Sequence, residues 1–244
     1  MLNGERPPFS TVEVLYRSGN FLVVNKPYDV VLNWDDPSRT DTLQHLLQER
    51  FPDLVDQSLK HCFRFVHRLD YSTSGPICIA LNKKAAGHAG KAFSQKQVIK
   101  QYLALVRGHI SEDHLSINKA IGEQGTPDAP VPMCVEGTPG CQHLRDAVTQ
   151  LTVVEKGLYE GQPATKVNLC PMTGRRHQLR VHCQSIGHPI VGDYTYSCRQ
   201  DTTPYRMMLH AQRLVIPLKG EVIDIETDDP FTTTFDPHWQ TAER

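Results

Sequence analysis

Apolar and polar positions alternate loosely over Val12-Glu13-Val14-Leu15-Tyr16 and break at Arg17-Ser18-Gly19-Asn20. They resume as Phe21-Leu22-Val23-Val24 before Asn25-Lys26-Pro27. This pattern predicts two short strands joined by a turn, the second stopped by proline. The period then changes. Leu43, Leu46, Leu47 and Arg50 recur at i, i+3, i+4 and i+7, predicting a short amphipathic helix over 41–51 with the three leucines as its apolar face. The run from Pro76 to Leu81 is continuously apolar and predicts a buried strand, and Lys83 to Gln95, rich in Ala and Lys, predicts a helix. Val98 to Gly108 predicts a long strand closed by glycine. In it Lys100, Tyr102, Ala104 and Val106 share one face, and Ile99, Gln101, Leu103 and Leu105 the other.

Ile110 to Leu144 holds neither period and is punctuated by glycines and prolines, which predicts an extended loop with at most brief strands. Thr149–Val154 and Ala164–Leu169 predict paired strands around a turn at Gly157–Gly161. From about His177 the pattern is helical, which would put Arg176 and Arg180 one turn apart on a common face. The tail from Glu221 is acidic.

A chain of 244 residues with 39% hydrophobic and 22% charged residues can bury a substantial core. No apolar run approaches the roughly 18 residues that cross a membrane. Met1 to Ser10 contains Glu5, Arg6 and two prolines, with no apolar signal core and no Arg-rich amphipathic pattern. The expectation is a soluble intracellular protein, cytosolic or nuclear rather than mitochondrial. The seven cysteines include no Cys-x-x-Cys pair, which argues against a disulfide framework or a zinc ribbon. His177, His182, Cys183 and His188 cluster in sequence, but their spacing matches no standard zinc pattern, so no metal is expected.

Net charge is only −1, but the charge is strongly patterned. Residues 60–108 carry nine basic side chains and one acidic, Asp70, and residues 166–219 carry eight basic and two acidic. The three remaining blocks are acidic. Two basic blocks that met in space would form a positive cleft; otherwise they are ordinary solvated faces. A lone carboxylate in such surroundings should stay ionised at neutral pH.

That carboxylate lies in His67-Arg68-Leu69-Asp70-Tyr71-Ser72-Thr73-Ser74-Gly75, on a loop feeding a strand. By local chemistry alone it could be a polar turn. The stretch resembles the His-Arg-Leu-Asp-x-x-Thr-Ser-Gly signature of RluA-type pseudouridine synthases. Asn25-Lys26-Pro27, Lys100-Gln101-Tyr102-Leu103-Ala104, Thr173-Gly174-Arg175-Arg176-His177-Gln178-Leu179-Arg180-Val181-His182 and Gly187-His188-Pro189-Ile190-Val191-Gly192-Asp193 match further elements of that family in order. The last reads as a scaffold of tight turns. Leu209-His210-Ala211 with Leu214–Pro217 resembles the family's late strand, and the acidic tail from Glu221 resembles its final strand and ending. Tyr71 and Pro76 depart from the family's usual charged residue and leucine, and Pro76 removes a backbone donor.

The resemblance implies an α+β fold with a mixed, mostly antiparallel central sheet, peripheral helices and an RNA-binding cleft. It implies one catalytic domain over 1–244, core about 12–230, without an N-terminal S4-like domain. It also implies an isomerase that converts uridines of rRNA, tRNA or mRNA to pseudouridine without a cofactor, as a monomer. The implied catalytic residues are Asp70, Tyr102 stacking on the base, and Arg180 pairing with the carboxylate. Arg68, His67, Thr73, Lys100, Arg175, Arg176 and His177 are the implied substrate-binding residues. Whether Asp70 attacks C1′ or removes a proton from C2′ stays open. A silent RNA-binding or folding module of the same fold is the alternative; a Ser/His/Asp hydrolase is disfavoured by the absence of a Gly-x-Ser-x-Gly elbow. Residues 110–144 would be either an insertion that touches RNA or a surface excursion, the latter favoured by their acidity.

Overall fold

The computed structural model describes residues 12–36, 38–125 and 132–241. The chain forms two compact units, one reaching to Ile99 and including Ala211–Thr227, the other comprising Lys100–His210 and the part from Asp228 onward.

In the first unit β1 (Glu13–Arg17) and β2 (Phe21–Lys26) form the expected hairpin. Helix α1 (Leu43–Arg50) buries Leu43, Leu46 and Leu47, and Thr42 caps it by accepting the His45 N–H at 3.1 Å. Strands β3 (Arg64–Phe65) and β4 (Gly75–Ala80) complete a sheet ordered β1-β2-β4-β3. Every residue of β4 is buried, as its unbroken apolar run demands. Helix α2 (Lys83–Ser94), capped by Asn82, lays Ala85, Ala89 and Ala92 against Phe21, Val23 and Cys78. Small side chains let that helix sit close to the sheet.

The second unit is mostly antiparallel sheet. Its elements are β5 (Ile99–Arg107), β6 (His114–Asn118), β7 (Ile121–Gln124), β8 (Met133–Val135), β9 (Cys141–Arg145), β10 (Val148–Tyr159), β11 (Gln162–Pro171) and α3 (Gln178–Ser185). Within it β14 (Trp239–Thr241) joins β10, while β12 (Leu209–Leu218), from Ala211 on, and β13 (Glu221–Glu226), which pair with each other, belong to the first unit. Strand order runs β5-β11-β10-β14, with β6 also on β10. Both faces of β5 are covered: Ala104 and Val106 pack with Val167, Leu169 and Leu179, while Leu103 and Leu105 pack with Tyr159, Phe231 and Trp239.

Two expectations are corrected and one is filled in. Among the described residues of 110–144 the brief strands that the sequence left room for are present: β6 pairs with β10, and β7, β8 and β9 form a small sheet ordered β8-β7-β9. These strands are three to five residues long, too short to show a period. Cys134 and Cys141 are joined by a disulfide, Cα–Cα 5.9 Å, across a turn that the spacing of the two cysteines does not announce. No larger framework exists among the described residues, where the other five cysteines are unpaired. The β10–β11 turn is only Glu160-Gly161, both at positive φ (51° and 75°), with Tyr159 opposite Gln162. Gly157 lies inside β10 instead, where a Cβ would fall 2.1 Å from the Gln240 carbonyl oxygen. Its role is to let β14 approach. Among the described residues no helix is long and apolar enough to cross a membrane.

Two stability predictions follow from this packing. Gly75 has φ +123°, and a Cβ there would meet the Ala211 carbonyl oxygen at 2.1 Å. Gly75→Ala is therefore expected to cost about 2 kcal/mol or more, read from denaturant unfolding. Burial, with Arg206 nearby, pushes the His210 imidazole down to about 3. An unfolded His210 takes up a proton below about 6.5. The unfolded chain thus binds more protons between pH 6.5 and 3, and stability falls on acidification through that window. The melting temperature should drop between pH 6.5 and 4, and less steeply in His210→Gln.

Candidate functional site

In the first unit Asp70 sits half-buried on the loop between β3 and β4. The backbone on either side of it is held by groups distant in sequence. Lys26, fully buried at the end of β2, donates from Nζ to the carbonyls of Pro27 (2.9 Å), Val30 (2.8 Å) and Tyr71 (3.0 Å). The Tyr71 carbonyl also accepts the Val30 N–H at 3.2 Å. An ammonium taken out of water needs such acceptors, so its burial fixes the loops that supply them. Further along, Thr73 N–H closes a turn onto the Asp70 carbonyl (3.2 Å), and the Ser74 carbonyl accepts the Ala211 N–H (2.8 Å).

His67 accepts the Cys78 N–H at Nε2 (2.9 Å) and stacks on Phe93 at 5.2 Å, which fastens the start of the loop to β4 and α2. Thr73 is buried. Arg68 and Tyr71 are exposed beside Asp70, with Tyr71 48% accessible. The signature therefore divides into residues that build the loop, His67 and Thr73, and residues that face solvent, Arg68 and Tyr71.

In the second unit the loop after β11 and helix α3 gather the remaining residues. Gln178, 4% exposed, is fully engaged: Oε1 accepts from Thr173 Oγ1 (2.7 Å) and the Arg175 N–H (3.0 Å), and Nε2 donates to the Val148 carbonyl and Thr149 Oγ1 (3.0 Å each). One amide thus clamps the Thr173-Gly174-Arg175 loop onto β10. Arg175 donates from Nε to the Asp146 carbonyl (3.0 Å). Lys100, whose amine is pushed down by burial, reaches toward the Thr173 carbonyl at 3.5 Å. Tyr102 is half-buried beside it in sequence and packs against the cluster containing Ala104, Val106 and Leu169.

Helix α3 begins after His177, whose backbone is left-handed at φ 53°. Arg176 therefore precedes the helix, in an exposed turn, while Arg180 is buried within it. The predicted common face does not form, because the reversal at His177 ends the helical phase one residue too soon. Arg180 makes a two-pronged pair with Asp193, Nε–Oδ2 2.7 Å and Nη2–Oδ1 2.8 Å, with Asp193 1% exposed. Its guanidinium carbon lies 5.0 Å from the Tyr196 ring centroid.

His182 donates from Nε2 to the Lys119 carbonyl (3.0 Å) and accepts at Nδ1 from Thr149 Oγ1 (2.9 Å). Burial pushes its imidazole down, so it stays neutral and structural. Among the described residues no group of three or more His, Cys, Asp or Glu side chains could hold a metal ion.

Lys26, Gln178, Asp193 and Tyr196 were not among the sequence candidates. Lys26, Gln178 and Asp193 lay inside recognised motifs, but nothing local marked Asp193 as the partner of an arginine thirteen residues earlier.

A family model described as RNA pseudouridylate synthase matches residues 20–185. A Danio rerio protein named RNA pseudouridylate synthase domain-containing protein 1 is 49% identical over 235 residues, covering 96% of this chain and 80% of that one. A Yersinia pestis protein named dual-specificity RNA pseudouridine synthase RluA is 33% identical over 205 residues, 83% of this chain and 91% of that one. The solved structure titled Human RNA Pseudouridylate Synthase Domain Containing 1 superposes with a TM-score of 0.86 at 46% identity, covering 98% of this chain and 91% of that one.

Asp193→Asn removes the carboxylate charge that meets buried Arg180 at 2.7 and 2.8 Å. It is expected to destabilise the protein by about 3 kcal/mol in urea unfolding, whereas Asp224→Asn, at an exposed pair with Arg213, should change stability little.

Proposed function

As a member of the RNA pseudouridylate synthase family, of RluA type, this chain is an RNA-modifying isomerase, and we propose that Asp70 is the carboxylate that carries its reaction. The observation behind this reading is the family match over 20–185, which includes the loop of Asp70, Tyr102 and Arg180 alike. That span also crosses from the first compact unit into the second, which supports treating both as one catalytic domain.

The isomerisation breaks the N1–C1′ bond of a uridine and joins C1′ to C5, with loss of the C5 proton and gain of one at N1. It balances without a redox partner or an added group. The reaction needs the base out of its stack, a carboxylate at the ribose, and a path for the C5 proton. Asp70 acts at C1′ or on the C2′ proton. Its backbone is over-determined by the Lys26 carbonyl cage and the Ser74–Ala211 bond, which suits a group that must not drift.

By the resemblance, Tyr102 stacks on the uracil, and Arg180 is the guanidinium that orients the catalytic carboxylate. Asp193 pre-sets the plane of Arg180 at no entropic cost during the reaction. Arg68, exposed beside Asp70, fills the place of the displaced base. Arg175, Arg176, Lys100 and His177 serve the phosphates and sugar; His67 and Thr73 act by shaping the loop.

Tritium release from cellular RNA labelled at uridine C5 tests this reading, with the protein compared to Asp70→Asn. Wild type is expected to release tritium and the variant to fall to the background of enzyme-free RNA while still binding RNA. Equal release from both would remove Asp70 from its role. RNA binding without release from either would favour the silent module. Binding should also weaken with salt, and Arg176→Ala should reduce the slope of log K against log salt by about 1.

A further inference from the structure

We propose that Tyr196 is a positioning residue of this enzyme: its hydroxyl fixes which nitrogen of His177 carries the proton, and its ring steadies Arg180. The catalytic consequence rests on the function proposed above; the tautomer assignment does not. Tyr196 lies just beyond the Gly187–Asp193 stretch that the sequence marks as scaffold.

The side chain is 5% exposed, and its oxygen meets two groups. The Met133 N–H donates to it at 3.0 Å from β8, and His177 Nδ1 lies 3.0 Å away. A backbone N–H can only donate, so it occupies one lone pair of the phenol oxygen. Burial pushes the Tyr196 phenol up to about 12, so the hydroxyl keeps its own proton. Arg180, Arg176 and Asp193 are the charged groups that act on it. With Met133 already donating, the hydroxyl hydrogen is directed to His177 Nδ1. That nitrogen then accepts, so that in the neutral form of the imidazole the proton sits on Nε2.

Geometry supports an imposed orientation. The two rings meet edge-on, 5.8 Å between centroids at 89°. His177 is also the left-handed residue that starts α3, so its backbone and its ring are both held.

The ring of Tyr196 has a second contact. Arg180 lies over it at 5.0 Å, and Tyr196 N–H donates to Asp193 Oδ1 at 3.2 Å, the oxygen that takes the Arg180 Nη2 hydrogen. The same residue therefore touches the arginine, the carboxylate that holds it and the histidine three positions before it. The fixed point behind all three is β8, whose Cys134 is bonded to Cys141.

Tyr196→Phe removes the hydroxyl and keeps the ring; Tyr196→Leu removes both. Long-range proton–nitrogen NMR of the imidazoles, with His177 assigned through His177→Gln, reads the tautomer directly. Wild type is expected to show His177 protonated at Nε2, with Nδ1 shifted as a hydrogen-bonded acceptor, and that shift should vanish in Tyr196→Phe. In the tritium-release assay Tyr196→Phe should raise KM for RNA about ten-fold with kcat within about two-fold, because it disturbs a binding group alone. Tyr196→Leu should lower kcat as well, by about ten-fold, because it also frees Arg180.

A wild-type His177 carrying its proton on Nδ1 would overturn the proposal, since the hydroxyl would then follow the histidine. A folded Tyr196→Phe with unchanged KM and unchanged His177 nitrogens would do the same. Should the wild type release no tritium, the proposed function fails, while the nitrogen shifts of wild type and Tyr196→Phe still decide the tautomer.

Discussion

A guanidinium withdrawn from water is tolerable only where a carboxylate meets it in good geometry, and the second unit is arranged to meet that need for Arg180. Asp193 does so from the turn after Gly192, whose φ is +75° and where a Cβ would fall 2.2 Å from the Arg206 carbonyl oxygen. The same carboxylate accepts the N–H groups of Thr195 and Tyr196, so the turn and the ion pair stabilise one another. On the opposite side, the left-handed residue His177 and the clamped amide of Gln178 set where α3 begins. Remove the pair, and the helix start, the turn and the ring of Tyr196 lose their common reference.

Lys26 repeats this logic in the first unit with a different counter-group. Three carbonyl oxygens surround its ammonium, and two of them, from Val30 and Tyr71, belong to separate loops. A buried lysine is usually a liability, yet here its demand for acceptors fastens the loop that carries Asp70. In both units a buried cation orders irregular backbone that hydrophobic packing alone would leave loose. Reactive groups need just such backbone, because a loop offers access and the cation supplies rigidity.

The elements with strong periods were legible from the chain. The leucines of α1, the apolar run of β4, the alanines of α2 and the two faces of β5 all report their own burial, since a residue's side of a helix or strand follows from its index. The residues that carry the proposed chemistry were legible too, because motif spacing survives in sequence. Less visible was what depends on a distant partner. Gly157 looks like a turn residue but serves the approach of β14, and Cys134 and Cys141 become neighbours only once β8 and β9 flank β7.

By itself, then, the sequence determined the family, the succession of strands and helices, and which side chains are candidates for carboxylate, stacking ring and cation. Those features are written in local order and spacing. Tertiary structure alone decided that Arg180 is held by Asp193, that Lys26 is caged by backbone carbonyls, that Arg176 and Arg180 part company at His177, and that Tyr196 joins His177 to β8. Each of these is a contact between groups whose need for a partner is local but whose partner is not. Desolvation makes the need absolute, and only the folded chain says who answers it.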